Sequence, residues 1–99
     1  MNKYRNVRTY GYSSRKEADY ALRFQALAKC GEISDYVEQM PFTLLEGKGK
    51  TKGIKYIADF CWRDQDGYHV ADVKGMRTQV YNLKKRMMFL IHGIEIEEL

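Results

Sequence analysis

Hydrophobic and polar positions alternate through two stretches in the middle of the chain and recur at helical spacing on either side of them. Ser14-Arg15-Lys16-Glu17 opens a helix and Gly31 stops it. Counted from Glu17, the apolar residues Tyr20, Ala21, Phe24, Leu27 and Ala28 fall on one helical stripe. A strand over Val37 to Leu45 follows, with Pro41 marking an edge or a bulge. Ile54 to Trp62 and Tyr68 to Lys74 are rich in β-branched and aromatic residues. Between them Asp64-Gln65-Asp66-Gly67 is turn chemistry, so the pair reads as a hairpin. Thr78 is an N-cap for a second helix whose apolar stripe is Val80, Leu83, Met87, Leu90 and Ile91, with Gly93 as its stop. Ile94-Glu95-Ile96-Glu97 alternates as a final strand. The order is α-β-β-β-α-β, an α/β (α+β) layer with helices covering a mixed sheet. Residues 1–12 form a basic arm with no clear period, and residues 13–99 a single domain.

Counting along the hairpin brings chemistry together. Side chains alternate with period two, so every even-length loop puts Asp59 on one face with Asp72 and Lys74. A loop of Asp66-Gly67 sets Asp59 opposite Lys74; a loop of Gln65-Asp66, or of all four residues, sets it opposite Asp72. Two close carboxylates repel and raise one pKa, and a divalent cation resolves the conflict. Lys74 is then a positioned ammonium, and the set suits metal-dependent phosphodiester hydrolysis. The competing reading is an exposed edge hairpin with Asp59 paired to Lys74. Ile57, Ala58, Phe60, Ala71 and Val73 weigh against it, because they bury at least one face of both strands.

Glu17 adds a third acid near the centre of the first helix's apolar stripe, an odd place for a carboxylate. Its S-x-x-E spacing from Ser14 allows a capping box, in which the glutamate reaches back to the N-cap amide. The functional reading points Glu17 from the first turn toward the hairpin carboxylates.

Composition narrows the partners. The chain has 99 residues, 44% of them hydrophobic, which is enough for one modest core without staples. A net charge of +4 suits a polyanion. Basic residues gather up to Cys30, from Lys48 to Lys55 and from Lys74 to Arg86; acids gather at Glu32 to Glu46 and Glu95 to Glu98. Arg77, Lys84 and Lys85 are the first phosphate-contact candidates. Lys48, Lys50 and Lys52, on an expected mobile loop, and Lys3, Arg5 and Arg8 in the arm come second. Cys30 and Cys61 lie far apart with no histidine at ligand spacing, which argues against zinc. The sequence shows no signal peptide and no apolar run of membrane-spanning length, so a cytoplasmic location and no membrane partner are expected. His69 and His92 read as structural, Trp62 as core or interface, and Gln39 as a residue that approaches the site from the first strand.

These features carry a resemblance. A helix bearing Glu17, Asp59 in a strand, Asp72-Val73-Lys74 in the next strand and then a helix resemble the PD-(D/E)xK nuclease superfamily. The chain as a whole is similar to a phage-encoded family of small endonuclease-like, Holliday junction resolvase-like proteins within it. The similarity runs from Asn2-Lys3-Tyr4 to the final strand, through Ser14-Arg15-Lys16-Glu17-Ala18, Gly31-Glu32-Ile33, Gln39 before Pro41, Tyr56-Ile57-Ala58-Asp59-Phe60 and Asp72-Val73-Lys74-Gly75. Ala58 stands where the superfamily name has proline, and Asp72 where glutamate is commoner. The resemblance implies a restriction-endonuclease-like core. It implies Asp59 and Asp72 as principal ligands of Mg²⁺ or Mn²⁺, Glu17 as a further ligand, and the Val73 carbonyl completing the site. Lys74 would orient or deprotonate the attacking water, or stabilise the phosphate. The implied activity is a metal-dependent endonuclease acting on branched or duplex DNA, as a homodimer. The alternatives are a general nicking or duplex nuclease, a non-catalytic DNA-binding module on the same fold, and a small protein that binds a host protein.

Overall fold

The computed structural model describes residues 11–73 and 77–99. The basic arm up to Tyr10, and with it Lys3, Arg5 and Arg8, lies outside the described residues, as does Lys74. The elements are α1 (Arg15–Lys29), β1 (Ser34–Leu45), β2 (Ile54–Asp64), β3 (Gly67–Asp72), α2 (Gln79–His92) and β4 (Glu97–Glu98). This is the expected α-β-β-β-α-β order. The strands form one sheet in the order β1-β2-β3-β4. The first three are antiparallel and β4 runs parallel to β3, so the sheet is mixed. β1 is an edge strand, where Pro41 is tolerated.

Local chemistry sets the ends of the elements. Ser14 caps α1 by accepting the Glu17 amide at 3.0 Å, and Thr78 caps α2 by accepting that of Tyr81 at 3.0 Å. Gly93 ends α2 at φ 70°, a left-handed conformation that glycine adopts without a side-chain clash. The loop expected over residues 48–53 contains a closed turn. Lys48 and Thr51 exchange two backbone hydrogen bonds of 2.9 Å, closing a tight turn at the end of the β1–β2 hairpin. A side chain on Gly47 would stand 2.7 Å from the Thr51 carbonyl, so this close backbone approach depends on glycine.

Each helix covers one face of the sheet. Phe24 of α1 packs against Phe60 and Trp62, with Ala21, Ile33 and Ala71 completing that core. Tyr81 and Met88 of α2 pack against Leu44, Tyr56, Ala58, Cys61, Val70 and Ile96. Neighbours such as Val70 and Ala71 go to opposite cores, as alternation requires. Apart from the register shifts of β1 between Ser34 and Val37 and between Thr43 and Leu45, alternation breaks midway along both β1 and β2. On β1, Tyr36 joins the α1 side, whereas Met40, Phe42 and Leu44 join the α2 side. On β2, Tyr56 and Ala58 join the α2 side, whereas Phe60 and Trp62 join the α1 side. Both strands change sides across Gln39 and Asp59, which lie opposite each other between the pairs Glu38–Phe60 and Met40–Ala58. Gln39 has φ 57°, uncommon for a residue with a side chain, and this is the backbone signature of the switch.

The stripe expected to bury α2 is not the buried one. Val80, Leu83 and Leu90 are 63%, 52% and 76% exposed, while Tyr81 and Met88 face the sheet. The helix is turned by one residue, roughly 100° about its axis, from the sequence expectation. Its apolar residues occur around most of the circumference, so periodicity alone leaves two faces in competition. Polar reach decides between them: the chosen face lets Tyr81 and Lys85 bond Glu98 at 2.8 and 3.0 Å. No helix among the described residues is long and apolar enough to cross a membrane.

Candidate functional site

The β2–β3 ladder ends at Phe60–Ala71, and the carboxylates stand where it ends. The observed pairing of Asp64 with Gly67 makes Gln65-Asp66 the two-residue loop, which selects the register with Asp59 across from Asp72. The two acids replace the missing ladder with reciprocal bonds. The Asp59 amide donates to Asp72 Oδ1 at 2.8 Å, and the Val73 amide donates to Asp59 Oδ2 at 3.0 Å. The contact thus runs from side chain to backbone in both directions. Asp72 is fully buried, whereas Asp59 is half-buried.

Glu17 reaches this point from the opposite side. It sits in the first turn of α1 and is 5% exposed, rare for a glutamate. Only half of a capping box forms: Ser14 accepts the Glu17 amide, but the Glu17 carboxylate turns elsewhere. Its Oε1 accepts from Ser13 Oγ at 2.6 Å and its Oε2 from Gln39 Nε2 at 3.3 Å. The same Gln39 nitrogen lies 3.3 Å from Asp59 Oδ1. One amide group therefore bridges Glu17 and Asp59, and two anionic acceptors fix which end of the amide faces them. The change of sides at Gln39 and Asp59 is what lets both side chains meet Glu17.

The bridge forms part of the wall of a cleft of about 460 Å³, together with Tyr12, Ser13 and Glu38. Glu38 accepts from the Tyr12 hydroxyl at 2.7 Å, the Tyr36 hydroxyl at 2.6 Å and the Gln25 amide at 3.0 Å. Burial pushes the Glu38 carboxyl up, but the bonds from Tyr36, Gln25 and Tyr12 outweigh it and hold it below the usual range. Burial and the same carboxylate drive the Tyr36 hydroxyl well above its ordinary value. This cluster braces the cleft wall. Sequence reading missed it, although the spacing of Tyr36 and Glu38 already places them on one strand face.

The hydrogen-bond donors to Glu17 and Asp59 among the described residues are all neutral: Ser13 Oγ, Gln39 Nε2 and the Val73 amide. Such carboxylates fit a hard cation by donor type, and they already converge on one positively polarised group. They do not form a finished cage. Among the described residues no three His, Cys, Asp or Glu side chains are grouped closely enough to hold one ion. Binding Mg²⁺ requires the oxygens to close to about 2.1 Å.

The expected phosphate contacts divide. Lys48, Lys50 and Lys52 are exposed on the closed turn. Arg77 and Lys85 are tied to Glu98, at 2.8 Å from Arg77 Nε and 3.0 Å from Lys85 Nζ. Lys84 is half-buried in a groove beside Ile57 and Val80. His69 stands between Glu97 at 2.6 Å and Asp64 at 2.9 Å and stacks on Trp62, a structural arrangement as expected.

No curated protein and no solved structure matches the chain. Residues 1–97 match the family model described as protein of unknown function (DUF1064), and the chain belongs to that family.

Proposed function

We propose that the protein is a divalent-metal-dependent DNA endonuclease that hydrolyses phosphodiester bonds in branched DNA, in the manner of a Holliday junction resolvase. The observation that carries this reading is the meeting of buried Glu17 with Asp59, beside Asp72, where the donors to Glu17 and Asp59 among the described residues are neutral. Glu17, Asp59, Asp72 and the Val73 carbonyl would hold Mg²⁺ or Mn²⁺. The bound ion supplies a lowered pKa for water and neutralises charge that develops on the phosphate. The chain's own residues do the rest. Asp72 holds the Asp59 backbone, the Val73 amide holds the Asp59 carboxylate, and Ser13 and Gln39 aim Glu17. Lys74, two residues beyond Asp72 in the sequence, is assigned to orient the attacking water or neutralise the phosphate.

DNA phosphates would meet Lys48, Lys50 and Lys52, which are exposed, with contacts that are sequence-independent and sensitive to salt. Arg77 and Lys85 would contribute only by sharing their charge with Glu98, and Lys84 from its groove. A homodimer would bring two such sites to two strands. The exposed Val80, Leu83 and Leu90 on α2 offer an apolar surface for it, and Leu90→Asp is expected to shift a sedimenting dimer to monomer with the fold intact. Location in the cytoplasm belongs to the same reading.

The test is cleavage of a synthetic four-way junction beside a matched linear duplex, in Mg²⁺, Mn²⁺ and EDTA, with Lys74→Ala as control. Paired symmetric cuts on the junction, lost in EDTA and in Lys74→Ala, support the resolvase. Equal cutting of both substrates gives a general nuclease instead. Binding without cutting gives a non-catalytic DNA-binding module.

A further inference from the structure

Gln39 holds the place between two carboxylates that a cation would take, and it does so from unusual backbone. Its nitrogen is 3.3 Å from Glu17 Oε2 and 3.3 Å from Asp59 Oδ1, and its φ of 57° falls at the point where β1 and β2 change sides. The residue is exposed on the cleft wall, so its side chain has room to turn. A carboxamide has two chemically opposite ends: the NH₂ donates hydrogen bonds, and the carbonyl oxygen is a hard ligand. Glu17 and Asp59 meet on a positively polarised partner, and the amide nitrogen supplies it. With a cation between them, the nitrogen would face an ion of its own sign. A half-turn about the last side-chain bond presents the oxygen instead.

We infer that Gln39 is the exchange residue of the cation site: its amide nitrogen bridges Glu17 and Asp59, and its carbonyl oxygen turns inward in its place when Mg²⁺ or Mn²⁺ binds. This rests on the cation reading proposed above. It differs from a buttress, in which the nitrogen keeps both bonds whether or not an ion is present. Such a residue stabilises the empty site against the repulsion of its own carboxylates. It also sets a threshold, because an ion must displace two hydrogen bonds before it binds.

The experiment is a Mg²⁺ titration of the full ¹⁵N-labelled chain, following side-chain NH₂ and backbone amide signals together. The Gln39 NH₂ pair is expected to shift with the same half-saturation as the Asp59 and Val73 backbone amides. Its proton exchange with water is expected to speed up as its two bonds are lost. Movement of the Asp59 and Val73 amides with an unmoved Gln39 NH₂ pair would overturn the exchange role and leave the cation site standing. No movement of any of these signals would overturn the cation reading and this inference with it. Gln39→Glu provides the second arm, since glutamate ligates but cannot donate. It is expected to lower the ion-free melting temperature and to tighten Mg²⁺ binding by about tenfold through the added ligand charge. Unchanged or weaker binding in that variant contradicts a ligand role for position 39.

Discussion

Two acidic clusters in this small fold are built on opposite plans. At one end of α2, Glu98 is matched by cations: Arg77 and Lys85 bond its carboxylate, and the Tyr81 hydroxyl adds a third contact at 2.8 Å. The bonds from Arg77, Tyr81 and Lys85 hold the Glu98 carboxyl down to about 2. At the end of the β2–β3 ladder, Glu17 and Asp59 meet neutral donors instead: a serine hydroxyl, a glutamine amide and a backbone amide. The chain has 17 lysines and arginines, yet among the described residues none pairs with Glu17 or Asp59. Two cations therefore more than offset the Glu98 carboxylate, and their bonds hold β4 and Arg77 to α2. The Glu17–Asp59 pair gathers negative charge that its described neighbours do not cancel.

The comparison breaks most visibly under Asp59→Asn. If the ladder-end cluster is the chemical one, the variant loses cleavage on the order of 10²-fold or more, read as kcat on the junction substrate. Glu98→Gln, by contrast, is expected to leave the chemical step unchanged. Its effect falls on stability instead: the melting temperature drops by about 4–8 °C, the response of a domain of this size to the loss of roughly 1 kcal/mol. Because Glu98 is depressed in the folded state, its contribution is present above its unfolded value of 4.5. The contribution is lost as pH falls toward about 2. The melting temperature of wild type relative to Glu98→Gln should therefore converge on acidification.

The smallest effect concerns His69, and it has the opposite sign. The bond from Glu97 is the main cause of its raised pKa, with Asp64 adding to it against burial. A raised histidine contributes stability that is full below its unfolded value, about 6.5, and is lost as pH rises through the folded value. His69→Gln is expected to flatten the melting-temperature profile between about pH 6 and 8. An unchanged slope in that window would show that His69 is held by its stacking on Trp62 rather than by charge.

One side of this contrast was legible in the sequence, and the gaps have physical causes. Period-two counting placed Asp59 across from Asp72 in the registers with a Gln65-Asp66 or four-residue loop, and the structure adopts the first. The odd position of Glu17 on its helix stripe already pointed to a buried carboxylate, and it is buried. Counting misses the change of sides at Gln39 and Asp59, because it assumes an unbroken pleat; only backbone geometry reveals the left-handed Gln39. It also misses the rotation of α2, since the residues that choose its buried face, Tyr81 and Lys85, act through Glu98, 13 or more residues away in sequence. For the same reason counting misses that Arg77 and Lys85, the first phosphate-contact candidates, are bonded to Glu98. Charge runs show where cations are concentrated, not which are already spoken for.

The most direct test of the central claim is a Mn²⁺ titration followed by the resonance of the free ion, on wild type, Asp59→Asn and Glu98→Gln. Saturable binding by wild type and Glu98→Gln, abolished in Asp59→Asn, is the expected result. Binding that survives in Asp59→Asn, or that is absent from the wild-type chain, would contradict the assignment of the ladder-end carboxylates as the cation site.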